Sequence, residues 1–306
     1  MDLVRLASWL RCPTCGDDLH AVPPLVLRCD RGHAVDVNKR GYASLLAPGT
    51  RVTGDSAGML AARGGFLERG HYAPLVDELI GALDAATGRQ EASVASAGTA
   101  GARGLRILDA GCGTGHYLHA VLDRMPGTIG LAADLSPAAV TIAVRGRRDV
   151  DGLVADTWAA LPLRDGVADV ILDVFAPRNL PEFHRVLPPG GHVAIVAAGP
   201  RHLEELRAEG RAVGVQEDKR ERILESADPL FEPVSEAHVQ RVLQLSDVDV
   251  DLLLGMGPSA HHPAGPDAVD TPSPVDRGAG AIGTRQGVTI DVMIHVLRRR
   301  ERSIPA

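Results

Sequence analysis

Lysine is almost absent: Lys39 and Lys219 are the only two among 32 basic residues, so nearly all positive charge is arginine. Arginine suits bidentate phosphate contacts, although GC-rich coding bias produces the same composition without any function. Long apolar runs are missing too. None approaches the roughly 18 residues of a membrane span, and Arg5 and Arg11 interrupt the short apolar N-terminal stretch, which gives no secretory signal. A soluble cytoplasmic protein with no membrane partner is therefore expected. There is no internal repeat. An excess of positive charge is also lacking, since the formal net charge is −7, which argues at first sight against a nucleic-acid partner. The charge is uneven, however. Residues 1–75 hold nine Arg+Lys and seven Asp+Glu, leaving the remainder at −9, so any RNA contact is expected at the front of the chain.

Cysteine is scarce but concentrated. Three of four cysteines fall within the first 29 residues, as Cys12-x2-Cys15 and then Cys29-x3-His33. Zn²⁺ prefers thiolate and imidazole ligands, and a closed set of four makes a structural site rather than a catalytic one. Pro13, Gly16 and Gly32 supply the turns of two facing knuckles. The competing reading is a disulfide between two of these cysteines with a spare histidine, and nothing supports the oxidising compartment it needs.

With 306 residues, 45% of them apolar, the chain has room for one large domain with an appendage or for two ordinary domains. Residues 1–37 read as the metal module, with short strands around Leu25, Leu27, Val35 and Val37. Residues 38–71 read as a connector carrying a helix from Ser56 to Glu68, on which Met59, Leu60, Arg63, Phe66 and Leu67 recur at helical spacing. A second amphipathic helix is predicted from Tyr72 to Leu83, and a flexible loop from Ala85 to Gly104. Thereafter β and α patterns alternate, with strands expected at Leu105–Leu108, Ile129–Ala133, Val167–Phe175 and His192–Ala198. This implies an α/β fold whose parallel sheet is covered on both faces. Alternating runs at His238–Leu245 and Val288–Leu297 could complete the sheet as an antiparallel pair. The Gly/Pro/Ser-rich segment between them, Gly255–Gly287, reads as mobile.

The strand ending at Leu108 runs into Asp109-Ala110-Gly111-Cys112-Gly113-Thr114-Gly115, and a helix follows. Glycines let the chain turn sharply and let a ligand approach the backbone. Asp134 ends the next strand, about 20 residues on, where an acidic residue can hold ribose hydroxyls. A dinucleotide fingerprint spaces its glycines as G-x-G-x-x-G, whereas this loop is D-x-G-x-G-x-G. It resembles the first motif of class I S-adenosylmethionine-dependent methyltransferases, so S-adenosylmethionine is favoured over NAD and over a purely structural glycine turn. Asp156 follows the expected third strand and could reach the adenine, or could instead cap a helix. Pro188-Pro189-Gly190-Gly191 resembles the turn these enzymes carry before their fifth strand. Cys112 reads as a small packed side chain.

Further motifs narrow the resemblance. Gly41-Tyr42-x2-Leu45-Leu46, Gly54-Asp55-Ser56-Ala57-Gly58-Met59, Arg63, Phe66-Leu67, Gly70-His71-Tyr72-Ala73-Pro74-Leu75 and Gly199-Pro200-Arg201-His202-Leu203 resemble the signature of the RlmA-type 23S rRNA guanine-N1-methyltransferases. The likeness covers essentially the whole chain, most faintly beyond residue 246, and is nearest to the macrolide (tylosin) resistance branch. It implies a Rossmann-like, mostly parallel seven-stranded sheet over residues 72–306, a small N-terminal zinc-binding β domain, and one structural Zn²⁺ on Cys12, Cys15, Cys29 and His33. It implies S-adenosylmethionine contacts at Tyr72, Gly113, Thr114 and His202, beside the general class positions Asp109, Gly111, Gly115 and Asp134. The implied partner is a 23S rRNA hairpin lining the peptide exit tunnel, with a homodimer left open. Relatives carry aromatic residues in the C-terminal loop where Met256-Gly257-Pro258-Ser259 stands here, which leaves the substrate contacts of that loop unassigned.

Guanine N1 lies on the Watson–Crick edge, so the target base must be unpaired or flipped. Asp173, His71 and His202 lie in plausible neighbourhoods for removing its proton, and each has a structural or cofactor-binding alternative, so the catalytic base is left unknown. Phe175 could stack on the target. Three functions remain open on sequence: rRNA methylation, either for resistance or as housekeeping at the neighbouring guanine; a small-molecule methyltransferase with zinc as a staple; and a non-catalytic RNA-binding module.

Overall fold

The computed structural model describes residues 1–46, 50, 54–88, 104–214, 218–257 and 285–301. Most of the Ala/Gly/Ser/Thr-rich stretch (89–103) and the Pro-rich part of the late segment (258–284) lie outside the described residues.

The N-terminal part comprises α1 (Leu3–Trp9), β1 (His20–Val22), β2 (Val26–Arg28), β3 (Ala34–Asn38) and β4 (Tyr42–Ser44). Two helices follow. In α2 (Ala57–Glu68) the Ser56 hydroxyl caps the first turn by accepting the Met59 N–H, and Met59, Leu60, Phe66 and Leu67 are buried on one stripe. α3 (Ala73–Ala86) starts with Pro74 in its first turn, where a missing N–H costs nothing, and buries Leu75, Leu79, Ile80 and Leu83.

The α/β body then runs β5 (Arg106–Ala110), α4 (His116–Arg124), β6 (Ile129–Asp134), α5 (Pro137–Ala143), β7 (Val150–Val154), β8 (Val170–Val174), α6 (Leu180–Val186), β9 (His192–Ala198), α7 (Glu204–Ala208), α8 (Lys219–Ala227), β10 (Phe231–Leu245), α9 (Asp247–Gly255) and β11 (Gln286–Arg299). Strands β5 to β9 are parallel and buried on both faces, which explains their near-continuous apolar sequences. β11 pairs antiparallel with β9, and β10 antiparallel with β11, completing the sheet as the alternating patterns suggested.

The sheet is larger than expected. Its order is β1-β2-β3-β4-β7-β6-β5-β8-β9-β11-β10, eleven strands rather than seven. The four extra strands belong to the N-terminal part, and β4 pairs in parallel with β7, Ala43 opposite Leu153. The edge that β7 would have left open is therefore covered, and residue 38 falls at the end of β3 inside the β3–β4 hairpin. The metal module also shares a core with the sheet: Leu6, Trp9, Cys12 and Cys29 cluster with Leu131, Leu153, Ile171 and Phe183. The buried Asp151 carboxylate fastens α1 to β7, accepting from Arg5 Nε (2.7 Å) and Nη2 (2.9 Å) and from Trp9 Nε1 (3.3 Å).

The strand order reverses between β5 and β8. Such a switch point opens a crevice at the carboxyl ends of parallel strands, the usual ligand position in open α/β sheets.

Candidate active site and metal centre

Cys12, Cys15, Cys29 and His33 converge, with all four ligand atoms within 4.8 Å of one another. Cys12 Sγ lies 3.6 Å and Cys29 Sγ 3.4 Å from His33 Nδ1, and Cys15 Sγ lies 3.6 Å from Cys29 Sγ. A tetrahedral zinc with bonds of about 2.3 Å to sulfur and 2.0 Å to nitrogen requires edges of roughly 3.5–3.8 Å. The cluster fits one structural zinc, and three reduced thiols at these separations leave no disulfide.

At the switch point a cavity of about 760 Å³ opens. Of the residues expected to hold a cofactor, Tyr72, Asp109, Gly111, Thr114, Asp134, Asp156 and His202 line it. Gly113 and Gly115 act one layer back. Gly113 donates its N–H to Asp134 Oδ2 (2.9 Å), and a side chain on it would run into Arg63 Nη1. Gly115 opens α4 at φ +78°, packed against Ala143. A left-handed backbone at both, with no room for Cβ, accounts for the glycines. Asp156 accepts the Trp158 N–H at 2.9 Å, so it braces a turn as well as lining the cavity.

The electrostatics follow from burial. Asp109 is pushed up to about 8 by burial, with the Asp134 and Asp173 charges adding to the effect. Asp134 is also raised by burial, although the backbone N–H groups of Ser136 and Gly113 oppose the shift. Arg63 spans the roof of the cavity, from Asp55 (2.5 Å) to the Met256 carbonyl (2.9 Å). Phe175 sits at φ +53°, a conformation that costs a non-glycine residue about 1–3 kcal/mol. Its half-exposed ring lies against His202, with centroids 6.2 Å apart.

Sequence reasoning did not single out Trp158, Arg178 or Lys219 as site residues, yet all three line the cavity. Arg178 directly follows the Phe175-Ala176-Pro177 turn, Trp158 lies two residues past Asp156, and Lys219 is one of two lysines in the chain; these were the available signals.

A methyltransferase-domain family model matches residues 107–191. A protein of Micromonospora griseorubida named for 23S rRNA guanine-N(1) methylation is 42% identical over 260 residues, 84% of this chain and 88% of its own length. The 23S rRNA (guanine(748)-N(1))-methyltransferase of Streptomyces fradiae is 39% identical over 258 residues, again 84% and 88%. A Bacillus subtilis protein named for the same chemistry is 32% identical over 205 residues. The chain belongs to the 23S rRNA guanine-N1-methyltransferase family.

As a member of this methyltransferase family the protein uses S-adenosylmethionine, and the cavity fits it. Asp109, buried on the cavity lining, would present an acid to the cationic amino-acid end. Each Asp134 oxygen accepts one backbone N–H, from Gly113 or Ser136, and keeps a lone pair for a ribose hydroxyl. The same geometry decides between the candidate bases for the guanine-N1-methyltransferase reaction. His202 Nδ1 accepts the Asp291 N–H (3.3 Å), so the neutral ring carries its proton on Nε2 and is a donor. Burial holds it down to about 4, neutral at physiological pH. His71 is engaged with Asp249, 3.1 Å away, outside the cavity lining. Asp173 is fully buried and does not line the cavity. None of the three presents a proton acceptor to a base in the cavity.

Proposed function

We propose that this protein transfers a methyl group from S-adenosylmethionine to N1 of a guanine in the exit-tunnel hairpin loop of 23S rRNA, and thereby confers macrolide resistance of the tylosin type. The expected target is the guanine equivalent to position 748, the one named for the Streptomyces fradiae relative. The observation that carries the reading is the joint presence of a class I cofactor cavity and a Cys3His cluster on one continuous sheet, in a chain that matches these relatives across 84% of its length.

Bound in the cavity, the cofactor supplies a sulfonium-activated methyl group, so the protein's task is positioning and proton removal. Tyr72, Asp109, Thr114, Asp134, Asp156 and His202 hold the cofactor. Phe175, exposed at the end of β8, stacks on the extruded guanine. Guanine N1 would give its proton to solvent water, leaving negative charge shared by N1 and O6, and the N1 lone pair would then take the methyl as the carbon–sulfur bond breaks. Lys219, half-buried on the cavity wall, offsets that charge. Residues 1–37 act as the rRNA-recognition module, 38–71 as the connector and 72–306 as the transferase domain. Loop nucleotides suit this site because they are unstacked at little cost.

The test is methyl transfer by the purified protein to 23S rRNA or to its isolated hairpin, with the product mapped by mass. Transfer to low-molecular-weight acceptors without RNA dependence would overturn the proposal.

A further inference from the structure

Trp158 is 67% exposed, whereas Trp9, the other tryptophan, is fully buried. A single exposed apolar side chain is ordinary, but this indole is continuous with the apolar wall formed by Ala176, Pro177, Leu180, Pro181 and Leu230, and an exposed aromatic joined to an apolar hollow marks a contact surface. The support here is rigid. The turn from Asp156 to Ala159 is closed by the Ala159 N–H on the Asp156 carbonyl (3.2 Å) and by the Trp158 N–H on the Asp156 carboxylate (2.9 Å). Asn179 Nδ2 then clamps it from outside, donating to the Thr157 (3.0 Å) and Ala159 (2.9 Å) carbonyls.

A second hollow, of about 460 Å³, opens beside the cofactor cavity and shares Trp158, Ala176, Pro177 and Arg178 with it. No residue of the glycine loop or of the Asp134 turn lines this second hollow. Its floor is apolar, from Leu180, Pro181 and Leu230, and Arg178 is its one charged lining residue. Arg178 and Lys219 both line the cofactor cavity, so two cations face it.

An aromatic platform, an apolar floor and a guanidinium together match an unpaired nucleotide, with its base on the indole and its phosphate on the arginine. Resting on the RNA-methylation reading above, we infer that Trp158 and Arg178 form a second nucleotide subsite, which holds the unpaired residue flanking the target guanine in the hairpin loop. Phe175 holds the target, Trp158 its neighbour, and Arg178 the linking phosphate between the two hollows. The loop is thereby splayed across the Ala176-Pro177 turn, which adds selection for an unpaired neighbour to selection for the target.

The experiment uses the full-length protein with the rRNA hairpin. Trp158→Ala should raise KM for the hairpin about 5- to 100-fold, as loss of one stacked base does, and Trp158→Phe should restore most of it. S-adenosylmethionine affinity, measured by calorimetry without RNA, should change far less than the hairpin KM, although Trp158 also borders the cofactor cavity. Arg178→Ala should weaken hairpin binding and lower the salt slope by about one. An abasic sugar at the flanking position should reproduce the loss in the parent protein but add little in Trp158→Ala. Hairpin binding should quench tryptophan emission in the parent and not in Trp158→Phe, since Trp9 is shielded. An unchanged hairpin KM in Trp158→Ala overturns the subsite. So does a loss confined to S-adenosylmethionine affinity, which would put the indole on the cofactor's adenine. Failure of the parent protein to methylate any RNA refutes the function itself, a result separate from either of these.

Discussion

Gly199→Ala probes how the end of β9 shapes the cavity. A Cβ at this position would lie 2.6–2.7 Å from three atoms of the Asp291 carboxylate, where an ordinary contact needs about 3.5 Å. That carboxylate cannot simply step aside. It is 1% exposed, its Oδ2 accepts the Arg201 N–H at 2.7 Å, and its Oδ1 lies 2.5 Å from His238 Nε2. Moving it by the required distance breaks at least one charge-assisted bond, each worth about 1.5–3 kcal/mol net. A destabilisation of about 2–4 kcal/mol is expected, which for a domain of about 150–250 residues is a fall in Tm of roughly 4–16 °C. The same shift disturbs His202, whose Nδ1 accepts the Asp291 N–H, so S-adenosylmethionine affinity should fall about tenfold. Differential scanning calorimetry and isothermal titration read the two effects. The double variant Gly199→Ala/Asp291→Ala should lose less than the sum of the singles, because removing the carboxylate removes the clash. A Tm within about 1 °C of the parent, with unchanged affinity, would refute the close approach and the positioning of His202 that depends on it.

Three further outcomes follow from the site. Asp109 is raised to about 8 and is mostly protonated in the free protein at pH 7, whereas opposite a cationic ammonium it must ionise. Cofactor binding should therefore release up to about one proton at pH 7, with affinity rising toward pH 8 and falling above it as the cofactor's own ammonium, with an ordinary value of about 8, is neutralised; titration in buffers of different ionisation enthalpy measures the release. Arg63→Met keeps the aliphatic stem but loses both the Asp55 and Met256 partners, and should raise the S-adenosylmethionine Kd about tenfold or more, again read by calorimetry. Cys12→Ser, or chelation of the metal, should lower Tm and impair rRNA methylation while cofactor affinity stays largely intact, because the cavity is lined without the metal module. Equal loss of both activities would show that the chain divides differently.

Local features were the legible ones. The glycine loop, its flanking strand and helix, Asp134 at the next strand end, and the two knuckles each reside in a few consecutive residues, so spacing alone exposes them. Ser56 as a cap and the stripe on α2 were legible for the same reason. What escaped was non-local. Nothing in Tyr42-Ala43-Ser44 announces a partner more than 100 residues away in β7, so the sheet was read as seven strands. β10 begins at Phe231, ahead of the expected His238, because its first half is an edge with irregular register at Pro233 and mostly part-exposed side chains. Trp158, Arg178 and Lys219 carry no motif, and only the fold brings the segments after β7 and β8 and the start of α8 to one cavity. The exclusion of His202 as a base needed its backbone partner, Asp291, which lies 89 residues away.

The central claim is methyl transfer to guanine N1 in the exit-tunnel hairpin. Expression in a bacterial host lacking its own enzyme, followed by mass mapping of the 23S rRNA hairpin, tests it most directly. The account predicts a single added methyl on a loop guanine, on its Watson–Crick edge, with a matching stop in reverse transcription. An unmodified hairpin alongside folded, cofactor-bound protein would contradict it.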